Sequence, residues 1–164
     1  MRKILGLSTI LAMLLIAFVL SGCQSMGLSG TSVHGVVPDE DRIPLSATAD
    51  STWDSDYVSL KYRFVQQGNG LEIEGVASLK PALTANFNLM TSLHMDVIFA
   101  DAQGKVLGMQ GLATGSDFDP LRFKVKVAMP VNTACLAFSY RGEVVDSSAD
   151  GGGGPYYFWK WPIR

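Results

Sequence analysis

The sequence predicts an all-β protein built as a single antiparallel β-sandwich. Three observations predict it. From Trp53 onward, apolar and polar residues alternate with period two in six separate segments. Turn-forming residues punctuate those segments about every ten residues, the spacing of sandwiches and barrels. Past the N-terminal apolar run no helix longer than two turns is indicated, and the connections are too short for β-α-β crossovers, which take about a dozen residues or more.

The chain begins with a basic pair, Arg2 and Lys3, followed by an uncharged apolar run from Ile4 to Leu20. That run is short for a bilayer span, where about 20 residues are expected, and it has the layout of a secretory signal. It ends in Leu20-Ser21-Gly22-Cys23. Leu20 spoils an ordinary small-x-small cleavage site, and the tetrapeptide instead resembles the lipobox of bacterial lipoproteins. The resemblance covers only the first 23 residues. It implies diacylglycerol on the Cys23 thiol, cleavage after Gly22 and acylation of the new amine. An uncleaved membrane anchor with an incidental cysteine is the plainer alternative. Gln24, in place of Asp, implies the outer membrane, with the domain on the periplasmic side.

Three regions follow from this reading: a lipoprotein signal peptide over 1–22, an acylated N-terminus and flexible tether over 23–52, and a β-sandwich domain over 53–164. Gly, Ser, Thr, Ala, Asp and Pro dominate the tether, too little apolar surface to fold alone. Only Val33–Val37 has the look of a short strand. As a coil, such a tether spans about 30 Å.

Within the domain, Val58, Leu60, Tyr62 and Phe64 alternate with Ser59, Lys61, Arg63 and Val65 as the first strand. Gln67-Gly68-Asn69-Gly70 supplies a tight hairpin turn. Leu71, Ile73, Gly75, Ala77 and Leu79 then face inward, with Glu72, Glu74 and Ser78 outward. Lys61 and Arg63 are thereby expected opposite Glu72 and Glu74, a favourable cross-strand pairing. Pro81 ends this strand, and 82–92 reads as a short helical turn or an irregular crossover.

Leu93, Met95, Val97 and Phe99 make the next strand, Asp101-Ala102-Gln103-Gly104 the turn, and Lys105–Ala113 the return. The stretch Val97–Leu107 resembles a hairpin of secreted immunoglobulin-like bacterial domains, which implies architecture only. After the loop Gly115–Pro120, Leu121, Phe123, Val125, Val127 and Met129 alternate with Arg122, Lys124 and Lys126. Pro130–Thr133 turns the chain into Leu136, Phe138 and Tyr140, with Cys135, Ala137 and Ser139 on the opposite face. The loop 146–154 contains four successive glycines and precedes the densest aromatic stretch, Tyr156, Tyr157, Phe158, Trp159 and Trp161.

Composition narrows the function. Two of the 13 basic residues and none of the 15 acidic ones fall in the signal, so the mature chain carries 11 against 15, a net charge of −4. With no basic block, a nucleic-acid partner is not expected. The two histidines, His34 and His94, lie in the tether and on an outward strand position. No G-x-S-x-G elbow occurs, and the apolar neighbours of Cys135 predict a buried, inert thiol. No catalytic residue, metal site or cofactor is therefore expected. The pairs Asp54/Asp56, Asp117/Asp119 and Asp146/Asp150 read as solvated turn residues rather than calcium ligands.

The aromatic tail leaves two readings. Tyr156, Tyr157, Trp159 and Trp161 serve as a ligand or interaction surface, for an envelope protein or a glycan, or the tail is a last strand that completes the core. The small residues Cys135, Ala137 and Ser139 leave room for bulk, which favours packing. On that reading the tail returns beside 134–141, burying Cys135 and part of Trp159 or Trp161. The protein expected is a membrane-anchored, non-catalytic structural or interaction module.

Overall fold

The computed structural model describes residues 33–46, 50–146 and 154–164. Signal, lipobox and Cys23 lie outside these residues, as does most of the 146–154 loop. Nine strands are present among the described residues: β1 (Ile43–Pro44), β2 (Ser51–Asp54), β3 (Val58–Gln67), β4 (Gly70–Leu79), β5 (Leu89–Ala100), β6 (Val106–Gly115), β7 (Leu121–Ala128), β8 (Cys135–Val145) and β9 (Tyr156–Lys160). A 3-10 turn spans Asp39–Asp41, and one short α-helix, α1 (Pro81–Thr84), opens the ambiguous 82–92 segment, with Pro81 in its first turn.

Two antiparallel sheets form the sandwich. One runs β2-β3-β4-β7; the other runs β8-β5-β6, with β1 and β9 sharing the remaining edge of β8. Counted from β3, the first, second and fifth strands face the fourth, third, sixth and seventh. This is the Greek-key arrangement of immunoglobulin-like sandwiches. The expected all-β sandwich is thus the observed fold.

The core follows the alternation. Val58, Leu60, Tyr62 and Phe64 of β3 pack with Leu71 and Ile73 of β4 against Leu93, Met95, Val97 and Phe99 of β5 and Leu136, Phe138 and Tyr140 of β8. Trp53 stands edge-on to Phe138 at 5.7 Å between ring centroids. Each large apolar side chain buried here contributes about 1.5–3 kcal/mol relative to exposure.

The β3–β4 hairpin turns at Gly68-Asn69, with Gln67 opposite Gly70. Its register refines one expectation. Arg63 does face Glu74, at 3.1 Å, but Lys61 faces Val76 rather than Glu72. Glu72 is taken instead from the other side by Lys124 (2.9 Å) and Lys126 (3.5 Å) of β7. Because β4 lies between β3 and β7, its carboxylates are shared between cations on both sides.

The folded unit begins before Trp53, so the tether boundary at 52 does not hold. Ser51–Asp54 pair with Ser59–Tyr62, and Ile43–Pro44 pair with β8. The segment 35–37 is hydrogen-bonded on both sides. Val37 N donates to Gly104 O (2.7 Å), and Val106 N donates to Gly35 O (3.0 Å). On the other side Val36 and Arg164 exchange backbone bonds of 3.1 and 3.0 Å. Gly104 makes this approach possible. Its φ is 82°, and a Cβ there would meet the Val37 carbonyl and the Arg42 guanidinium. The Arg42 Nε and Nη2 donate to Val37 O (2.8 Å) and Gln103 O (2.7 Å).

This segment lays Val37 over the outer face of the second sheet. Val37, Ile98, Ala100, Val106, Cys135 and Ala137 form a second apolar cluster, joined by Val33, Met109 and Ile163. Cys135 is buried as expected, its thiol directed at Asp101 O (3.4 Å), and burial raises its pKa. What buries it differs from the expectation. The cover over its face is Val37 with Ile163, and Trp159 and Trp161 remain 65% and 48% exposed.

Candidate binding surface

The C-terminal aromatics do return beside β8, as an edge strand. Tyr156 to Lys160 pair antiparallel with Val144 to Tyr140. Phe158 lies opposite Gly142 in this register, and a Cβ on Gly142 would collide with the Phe158 ring and lie 2.8 Å from the Ser92 carbonyl. A residue without a side chain therefore opens the slot that the ring fills. Phe158 is 1% exposed and packs edge-on to Tyr57 at 5.8 Å. Lys160, on the same side of the strand, pairs with Asp41 at 3.1 Å.

Tyr156 is held at the rim. Its ring stacks on Phe87 at 5.3 Å, and its hydroxyl shares a 2.7 Å hydrogen bond with that of Tyr57. That bond is the main reason the Tyr57 pKa is raised.

Strand alternation sends Tyr157 and Trp159 to the opposite side. Tyr157 and Trp159 are 57% and 65% exposed, and Trp161 follows two residues on at 48%. The four aromatics singled out from sequence are thus brought together but split in role. Tyr156 is a partly packed rim residue, and Tyr157 and Trp159 on β9, with Trp161 just past its end, form an exposed ridge. The buried anchor of the stretch is Phe158.

The ridge borders polar side chains that the sequence reading did not assemble. Trp159 lies opposite Arg141, which lies opposite His94, which lies opposite Thr114. In the next row Asp96 faces Ser139. Burial raises the Asp96 pKa, and the neighbouring charges of Arg141 and His94 oppose that rise. The Ser139 hydroxyl is buried with no hydrogen-bond partner among the described residues. One sequence signal for this patch existed: His94 and Asp96 are polar positions alternating with the core residues of β5. Register across three strands was needed to join them to Arg141 and Trp159.

Among the described residues no group of three or more His, Cys, Asp or Glu is placed to hold a metal ion, and no helix is long and apolar enough to cross a membrane. Asp117 accepts from the Asp119 amide at 3.0 Å, a turn-closing role. Asp54 is engaged by Ser59 and by Lys80. Comparison with family models, with curated proteins and with solved structures gave no match to this chain.

Proposed function

We propose that this is a lipid-anchored, non-catalytic interaction protein of the bacterial envelope, acylated at Cys23 and held at the periplasmic face of the outer membrane. It docks a protein partner on the Tyr157–Trp159–Trp161 ridge. The observation that carries this reading is the exposure of Tyr157 and Trp159 on an edge strand, and of Trp161 just past its end, while Phe158 between the first two is buried. Large exposed aromatics side by side are favoured contact residues, because binding removes much apolar surface at small entropic cost. The lipobox pattern supplies the address. With anchoring at Cys23, Val33 lies ten residues further on. The connecting chain then reaches at most about 33–36 Å, which holds the domain close to the lipid surface.

Replacing both Trp159 and Trp161 by Ala is expected to abolish in-cell crosslinking to the partner while leaving the melting temperature within about 2 °C. An unchanged crosslinking pattern sinks the reading. Fatty-acid labelling that is lost in Cys23→Ser tests the anchor separately.

A second reading is favoured by the row Trp159–Arg141–His94 with Asp96 beside it. An aromatic plate next to hydrogen-bonding groups suits a sugar ring, so the ridge then holds an envelope glycan. Tryptophan fluorescence titrated with peptidoglycan fragments separates the two. A saturable shift lost in Trp159→Ala supports the glycan, and no shift leaves the protein partner.

A further inference from the structure

The outer face of the four-stranded sheet carries a separate feature, on the other side of the molecule from the ridge. Lys61, Val76 and Arg122 form one row in direct register across β3, β4 and β7. Neighbouring strands lie about 4.8 Å apart, so the two cations stem from backbones about 10 Å apart on either side of a valine. Their side chains are long enough to converge above it.

The other cations of this face are matched by carboxylates. Arg63 pairs with Glu74 at 3.1 Å, Lys124 with Glu72 and Glu74 at 2.9 and 3.3 Å, and Lys80 with Asp54 at 3.4 Å. Among the described residues neither Lys61 nor Arg122 has a carboxylate within ion-pair distance. Two like charges flanking one apolar residue repel, and an anion between them relieves the repulsion.

The surface is hollowed there. Two depressions, of about 430 and 520 Å³, share Lys61, Val76 and Arg122. The larger is also lined by Asp50 and Glu74, which offset its positive charge. The smaller is lined by Ser59, Ser78 and Pro120 and contains no carboxylate. The Ser59 hydroxyl is engaged by Asp54, and Ser78 stands directly opposite Ser59 on β4. With a mature net charge of −4, the molecule as a whole does not attract anions. The attraction is local to this hollow.

We propose that the smaller hollow binds a phosphate group, with Lys61 and Arg122 as its charged contacts and the Ser78 hydroxyl as a third donor. Cations on opposite sides of the hollow call for an anion that offers oxygens in several directions. A tetrahedral phosphate does this, whereas a planar carboxylate is satisfied by one guanidinium. The phosphate is either free or part of a lipid headgroup.

The test uses the full chain in phosphate-free maltoside detergent micelles, followed by backbone amide shifts. One arm adds inorganic phosphate, and the other adds phosphatidylglycerol to the micelles. Saturable shifts at 59–61, 76–78 and 121–122 are expected in at least one arm, and which arm responds identifies the source. The double variant Lys61→Gln/Arg122→Gln is expected to weaken the response at least tenfold. Lys124→Gln, a cation of the same face already paired with Glu72, is expected to change it less than twofold. Absence of shifts in both arms overturns the proposal, as does equal weakening by Lys124→Gln, which would mean unspecific charge attraction.

Discussion

The two outer faces of the sandwich follow one alternation rule and reach opposite ends. On the four-stranded sheet the outward positions include Lys61, Arg63, Glu72, Glu74, Arg122, Lys124 and Lys126, and they remain a charged face open to water. On the five-stranded sheet the outward positions of β8 begin Cys135, Ala137 and Ser139, all buried. Small, weakly polar side chains do not themselves satisfy a solvent face. They leave a shallow bed on which both ends of the described chain lie, Val37 from one side and Ile163 from the other. Ion pairs between the ends reinforce this: Glu40 with Arg164 at 2.8 Å and Asp41 with Lys160 at 3.1 Å. An outward position is therefore solvent-facing only when nothing else in the chain is shaped to cover it.

The sharpest way to break the covered face is at Phe158. Phe158→Ala is expected to cost about 3–5 kcal/mol, because the ring fills a slot that cannot collapse around Gly142. Urea unfolding measures it. A loss under about 1 kcal/mol would show that β9 is an ornament on β8 and not part of its core.

Next in size is the N-terminal cover. Val37→Asp places a charge in the second cluster and is expected to destabilise by on the order of 2–4 kcal/mol. It should also speed the reaction of Cys135 with a thiol reagent severalfold. Trp161→Ala is expected to leave that rate unchanged. The opposite ranking would restore the aromatics as the cover of Cys135.

Asp96 sharpens the boundary between the covered and open parts of this face. Burial raises its pKa in the folded state above the ordinary value of 3.8. The folded protein therefore holds this proton more tightly than the unfolded chain, and the ionised carboxylate costs stability as pH rises through that window. Asp96→Asn is expected to raise the melting temperature at pH 7, with the gain closing below about pH 4. A gap that persists at pH 3 would assign the gain to something other than the charge.

The smallest effect is expected on the open face. Glu74→Gln removes the partner shared by Arg63 and Lys124, yet all three are substantially exposed. Its cost should be the smallest of the four and shrink with added salt. A larger, salt-insensitive loss would mean that this ladder contributes more than solvated pairs do.

Much of the fold was legible because its signals are local. The run Val58–Phe64, the turn at Gly68, the alternation from Leu121 to Val127 and the turn at Gly104 each depend on neighbours a few residues away. The aromatic stretch was legible as a unit, but its division was not. Phe158 is inward and Trp159 outward because β9 pairs with β8 in one register, and Gly142 sets that register from 16 residues away. The charged hollow was likewise hidden, since it needs β7 beside β4.

Period and turn chemistry act within a strand and its loop, and they were enough for an all-β sandwich, its hairpins, its inward residues and a buried Cys135. Long-range packing draws residues 33–46 into the folded unit, lays Val37 and Ile163 over Cys135 and leaves Tyr157, Trp159 and Trp161 exposed. Those outcomes depend on which distant segment reaches an apolar bed first and fits it, and a period along one strand carries no record of what lies across it.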